Sequence, residues 1–567
     1  MHDMIRTWTG LALCTLLSTP AAAQDWSNYG GGPGRNGQAR LAGPTSAIQL
    51  WSTVGDSSLI AWHPFIEDGR VFTVRESGFP QTGGSANDAL VAYDIYTGTE
   101  LWRTSMAFGG NTSTEWIAWI GGVRDGRVYA SRSSNLQPQP IKAYDVTSGN
   151  LLWTSAVATE AWAHDGIVFA PNGDLIVGDR STVVRIDAST GSTVWQTSRS
   201  CPVSGNCGAA ATSEAVYIDE AAGGGNRLTR LDLTSGAVQY TSPTMAGFTD
   251  QNSPFVSPDG ATVYFSRTQN NPVVDFLYAF HDDGTQFVQL WSREVRWTTS
   301  HEHGIARDGS IYTFTPSDEF VRLDPATGAI TANAGVLSPI GSPNLSPKTA
   351  VDVHGRVYVS NGWGSSPASD GRIWAFNSDL SQNLFTLQLD RQNAGGPVLG
   401  GDGIMITCDR SAVRAYRDAT VGTSFCESGS PGLVCPCGNS GAAGEGCANT
   451  TTLGAILGGS GTTSASANDL ALTTVQLPPN RFGLIFSGTK VIGQPFGDGV
   501  RCAGGSLRRY GVKDSGSGGT ITQLNAISVA GLGVGDTRHF QCWYRDNGGP
   551  CNGGFNTSNA LTVTLRP

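Results

Sequence analysis

Between residues 60 and 417 the apolar positions fall in short alternating runs rich in Val, Ile, Tyr and Phe, and small polar turns interrupt them every few residues. Period-two alternation with β-branched and aromatic residues predicts strands and disfavours a helical repeat. The runs recur in a fixed order. A small turn opens into a β-run at Asp68-Gly69-Arg70-Val71-Phe72, Asp125-Gly126-Arg127-Val128-Tyr129 and Asn172-Gly173-Asp174-Leu175-Ile176. It returns at Asp259-Gly260, Asp308-Gly309, Gly355-Arg356-Val357-Tyr358 and Asp402-Gly403, with Glu214-Ala215-Val216-Tyr217 as a degenerate copy. A second run ends in an acidic turn, as in Ala92-Tyr93-Asp94 and Ala143-Tyr144-Asp145, and Thr-Gly or Ser-Gly follows in five copies from Thr97-Gly98 to Thr327-Gly328. Asp can hydrogen-bond the backbone two residues on and Gly supplies a positive φ, so these are hairpin turns. A third run closes on Trp at Leu101-Trp102, Leu152-Trp153, Val194-Trp195 and Leu290-Trp291.

The second run recurs at spacings of 51, 42, 45, 49, 43, 53 and 40 residues. About four short strands per unit of that length is the size of a propeller blade. The eighth unit ends at Ala415-Tyr416 without its own Trp strand, while an orphan Leu50-Trp51 precedes the first unit. A segment around Gln49–Val54 therefore supplies the missing outer strand of the last blade, which leaves no long open edge. The fold expected is all-β: an eight-bladed β-propeller over residues 45–419, with seven blades as the alternative count, followed by a small disulfide-rich β-sandwich over residues 420–567.

The D-G-x-V-Y, A-Y-D-x-x-T-G and L-W pattern resembles the PQQ-like (quinoprotein-type) β-propeller repeats. These occur in quinoprotein alcohol dehydrogenases and in the propeller lipoprotein of the outer-membrane β-barrel assembly machinery. The dehydrogenase branch implies a vicinal Cys-Cys disulfide beside the quinone, a Glu/Asn/Asp set holding calcium, and an Asp base. No two cysteines are adjacent here, and no C-x-x-C-H haem attachment site occurs. No cofactor is expected. The pair Cys201 and Cys207 reads as a staple on a loop.

Composition sets the compartment and removes one class of partner. The chain of 567 residues carries a net charge of −10, 14% charged residues and 75 glycines. An acidic chain without basic runs has nothing to neutralise phosphates, so nucleic acid is excluded. Arg6, the apolar stretch Trp8 to Leu17 and Ala21-Ala22-Ala23 form an export signal over residues 1–23. No later stretch reaches the ~18 apolar residues of a membrane helix. Ten cysteines remain after Cys14 is removed, which in an oxidising compartment favours disulfides. The protein is expected to be secreted or associated with the cell envelope. Residues 24–44, with Tyr29-Gly30-Gly31-Gly32-Pro33-Gly34, read as a flexible lead-in.

Candidate chemistry lies where the repeat is broken. Six to eleven places before the turn glycine stand Trp62-His63, Trp116 and Trp119, Trp162 and His164, and His301-Glu302-His303, with Trp297 a little earlier. Inner strands line the channel of a propeller and ligands meet its mouth. Trp62, His63, Trp119, Trp162, His164, His301, Glu302 and His303 are therefore candidate ligand-binding residues, with Trp rings stacking on sugars and His acting in acid–base work. A divalent metal on His301, His303 and His63 or His164 is a further reading. The plainest reading is that these side chains fill the axial funnel, so no metal site and no catalytic residue is assigned.

From about Cys426 the texture changes. Cys435-Pro436-Cys437-Gly438-Asn439, Phe496-Gly497-Asp498-Gly499-Val500-Arg501-Cys502 and Trp543-Tyr544-Arg545-Asp546 resemble a cysteine-rich C-terminal module of large secreted proteins from planctomycete-type bacteria. Alternating runs there predict a small sandwich. Zinc on Cys435, Cys437 and Cys447 competes with disulfides, which the export signal favours. The combined expectation is an exported, non-enzymatic scaffold binding an envelope protein or polysaccharide. The alternative is a lyase-type enzyme acting on extracellular polysaccharide at the channel mouth, with a quinone-dependent dehydrogenase more remote.

Overall fold

The computed structural model describes residues 26–53, 58, 63–75, 87–106, 117–133, 138–162, 165–201, 207–246, 250–251, 253–270, 273–296, 303–338, 347–362, 371–389, 395–418, 421–430, 433–442 and 444–566. The export signal expected over residues 1–23 lies outside them, as do Trp116 and Trp297. Nearly all regular structure is antiparallel β. The first sheet joins Phe65–Glu67, Arg70–Arg75, Ala89–Asp94 and Glu100–Ser105 in chain order. Six more sheets of four or five strands follow it, each built from successive hairpins. The eighth is Gly395–Leu399, Met405–Cys408 and Val413–Arg417, completed on its outer edge by Ile48–Ser52. That strand pairs Ile48 with Arg417 and Trp51 with Ala415, so chain segments some 370 residues apart share one sheet.

The repeat motifs do two jobs. Asp68-Gly69 and Asp125-Gly126 both sit at positive φ (48°, 74°, 51° and 79°), the two-residue turn whose twist matches a hairpin. At the outer turns, an Asp carboxylate accepts from the backbone N–H groups two and three residues on, as Asp145 does from Thr147 and Ser148. The glycine after it is needed twice over. Gly98 has a φ of 69°, and a Cβ there would lie 2.5 Å from the ring of Trp51. Gly149 meets Trp102, Gly191 meets Trp153, Gly236 meets Trp195 and Gly328 meets Trp291 in the same way.

Each of these tryptophans docks on the next sheet. The indole Nε1 of Trp51 donates to the carbonyl of Ile95 at 2.8 Å, Trp102 to Val146 at 2.9 Å and Trp153 to Ala188 at 3.0 Å. Trp195 donates to Leu233 and Trp291 to Pro325. The docked indole thus keeps its polar handle satisfied while its ring covers a glycine of the neighbour. Trp51 carries this contact from the last sheet to the first, and Gly400 of the last sheet abuts Ile66 and Ile95 of the first. The ring closes on itself.

The C-terminal part forms a second core. A five-stranded sheet contains Thr423–Phe425, Phe555–Thr564, Thr537–Arg545, Phe482–Gly488 and Arg508–Asp514. A three-stranded sheet of Ile456–Ser460, Ala471–Val475 and Ile521–Gln523 packs with it through Leu457, Leu472, Ile485, Phe540 and Tyr544. Disulfides join Cys426 to Cys502, Cys435 to Cys447 and Cys437 to Cys551, so the three cysteines weighed as zinc ligands are spent on cross-links. Cys542 stays a thiol within the core, where burial pushes it up to about 12, and Cys408 lies buried near the hydroxyl of Thr73.

Candidate functional site

The axis of the propeller is built from the chain's own N-terminal segment. Trp26, Asn28 and Tyr29 are buried, with exposures of 1% or less, so the segment from 26 onward is packed structure rather than a flexible lead-in. It follows the inner strands around the ring. Trp26 and Ile66 exchange both backbone hydrogen bonds, and Val123 donates to the carbonyl of Ser27. Ala211 then donates to Pro33, Val256 to Gly34, Ile305 to Asn36, and Val351 to Gly37. Ala39 donates back to Val351, and Asp418 accepts from the amides of Thr45 and Ser46. Inner-strand edges are rows of unpaired amides and carbonyls, and the segment pairs them one sheet after another.

Glycine makes this path passable. Gly30 and Gly37 have φ of 75° and 70°, and a Cβ on Gly37 would lie 2.6 Å from the carbonyl of Thr349. Arg35 reaches sideways, its Nη1 donating to the carbonyl of Asp165 at 2.5 Å. The Asp165 carboxylate accepts from the amides of Trp162 at 2.7 Å and Cys207 at 2.6 Å. It thereby ties the third sheet to the loop stapled by the Cys201–Cys207 disulfide. Burial raises Asp165 to about 7, against the pull of those hydrogen bonds and of Arg35. Glu67 is likewise raised to about 7 by burial, opposed by the amide of Gly126. On the turn side, a polar pocket of about 350 Å³ has Gly31–Gly34 of the segment as one wall and Thr212, Ser213, Ser257 and Asp259 as another.

Of the eight candidate ligand-binding residues, Trp62, His164, His301 and Glu302 lie outside the described residues. His63 is 2% exposed and stacks on Tyr29, with ring centroids 5.3 Å apart. His303 is equally buried and stacks on Phe255 at 4.6 Å. Trp119 is fully buried in the core shared by the first sheets, and Trp162 packs half-buried against the same core. The structure thus brings His63 and His303 to the N-terminal segment, one against Tyr29 and the other beside Gly37. Among the described residues no group of three or more His, Cys, Asp or Glu is placed to hold a metal ion.

Sequence reasoning missed the axial segment, Arg35, Asp165 and Glu67. Trp26 and Tyr29 carried the available signal, since two large aromatics just ahead of a glycine run fit a packed strip better than a linker. Nothing local marked Asp165 or Glu67, whose burial comes from neighbours distant in the chain.

Residues 86–334 match a family model described as the outer membrane protein assembly factor BamB. No curated protein matches the chain. Among solved structures it is similar to BamB from Moraxella catarrhalis, at 15% identity over 66% of this chain and 100% of that one, with a TM-score of 0.45. It is similar to the Dos1 propeller at 13% identity, 66% and 94% coverage and a TM-score of 0.44. The quinohemoprotein alcohol dehydrogenase ADHIIG from Pseudomonas putida HK5 matches at 12% identity, 73% and 84% coverage and a TM-score of 0.37. On its turn and tryptophan motifs together with the family-model match over residues 86–334, the propeller region is similar to the PQQ-like β-propeller repeats.

Proposed function

We propose that this chain is an exported, non-catalytic propeller scaffold that holds a protein or polysaccharide at the cell envelope. The observation that carries the reading is the axial segment: residues 26–39 hydrogen-bond the inner strands of six of the sheets, so the ring is a braced body that presents faces and rim to a partner. His63 and His303 fit the same reading, because rings stacked on Tyr29 and Phe255 serve the packing of the funnel. Four disulfides suit an oxidising compartment, in keeping with the export signal. Among the described residues no helix is long and apolar enough to cross a membrane.

The test is a screen of the purified mature protein against uronate-containing glycans and envelope fractions, read for binding and for turnover together. Retention of a partner without new unsaturated uronate in the ultraviolet is the expected result. Unsaturated product would overturn the scaffold reading in favour of a lyase, and visible absorbance of the protein itself would favour a quinone enzyme.

A further inference from the structure

The C-terminal module carries a cleft of about 450 Å³ on the face of its five-stranded sheet turned away from the core. Alternation along the strands sets that face. Ile485, Cys542 and Tyr544 point into the core, so Leu484, Phe486, Trp543 and Arg545 point outward. The hairpin of Lys490–Phe496 and Gly499–Gly504 adds Phe496 and Arg501, and Phe555 completes the floor. An outward sheet face is normally polar, yet this one is floored by apolar rings, with Leu507 at its rim 40% exposed.

The polar groups of the cleft are all of one sign. Arg501, Arg509 and Arg545 line it, and no carboxylate does. Arg501 lies over the Phe496 ring at 5.4 Å and Arg545 over Trp543 at 5.4 Å, which orients each guanidinium while leaving donors at its edge. Residues 427–567 hold nine Lys and Arg against seven Asp and Glu, a net charge of +2 in a chain whose total is −10. Planar forks beside apolar rings match a ligand that bears carboxylates on a ring with an apolar face. The volume falls in the ~300–1,000 Å³ range of small-ligand sites, whereas a protein partner would cover some ~800 Å² of surface.

We infer that this cleft binds a short stretch of an acidic polysaccharide, with uronate carboxylates on Arg501, Arg509 and Arg545 and sugar faces on Phe496, Trp543 and Phe555. The inference goes beyond the propeller's role and fails separately from it. The test is calorimetric titration of the full mature protein with a galacturonate hexasaccharide, a neutral glucose hexasaccharide and poly-glutamate. Binding of the acidic sugar alone is expected, weakening steeply with salt and falling at least tenfold in the R509Q/R545Q double variant. Both arginines are exposed, so the variant should keep its fold, and circular dichroism checks that it does. Equal binding of the neutral sugar, or tighter binding of poly-glutamate, would overturn the inference in favour of a generic sugar site or an acidic peptide site. Unchanged affinity in the double variant would move the sugar to the propeller, and no binding by any probe would remove the site while leaving a protein partner for the propeller open.

Discussion

In the propeller, Trp51, Trp102, Trp153, Trp195 and Trp291 make the same contact with successive sheets, each indole on a glycine and each N–H on a carbonyl. Among the described residues beyond Gly422 no such unit recurs, and Cys426–Cys502, Cys435–Cys447 and Cys437–Cys551 tie a smaller core instead. The contrast follows from size. A ring of many sheets buries enough apolar area to hold its own interfaces, whereas a module of about 140 residues with a single sandwich core gains from closing long loops in the unfolded chain. Uncoupling the two kinds of support should therefore uncouple two unfolding transitions.

The largest effect should come from the cross-links. The Cys437–Cys551 bridge spans 114 residues, and a C437S/C551S variant should lose about 4 to 5 kcal/mol from the module. Calorimetry should show the module's transition falling while the propeller's stays in place; a propeller that fell with it would mean the two regions fold as one. Trp51→Ala should do the reverse, costing the propeller about 3 to 4 kcal/mol by opening the contact that closes the ring.

A smaller effect depends on pH. Burial lifts Glu67 from 4.5 to about 7, so the folded ring keeps a proton that the unfolded chain releases. Its stabilising contribution is full below the unfolded value and is lost as pH rises through about 7. Glu67→Gln should match wild type near pH 4 and exceed it by about 2 kcal/mol at pH 8, measured by denaturant titration at each pH. Smallest is the outer turn. Hydrogen bonds from the hydroxyls and amides of Ser189 and Thr190 hold Asp187 below the usual carboxylate range. Asp187→Ala should cost about 1 kcal/mol at neutral pH, and the cost should vanish as acid protonates the wild-type turn.

What was legible in the sequence shares a physical cause. D-G and T-G turns demand positive φ from particular residues, and a strand-end Trp needs a glycine to dock on, so local chemistry exposes the repeat that builds the sheets. The sandwich core at Leu472, Ile485 and Tyr544 showed through alternation in the same way. The axial segment did not, because Gly30–Gly34 reads as a linker until inner strands from six sheets converge on it. Nor did the module's cleft, since Arg501, Arg509 and Trp543 meet only through the pairing of strands separated by up to some 60 residues. Local motifs report turns; sites made by convergence need the fold.

The N-terminal segment, packed as part of the ring, is the element on which the braced axis depends. Hydrogen–deuterium exchange of the mature protein, followed on peptides covering residues 26–41, tests it. The amides of Trp26, Gly31, Arg35, Gly37 and Ala39 all donate to backbone carbonyls, so these peptides should exchange as slowly as those of the inner strands they pair with. Exchange at the rate of an unstructured chain, with the inner strands still protected, would contradict a braced axis and with it the scaffold built on it.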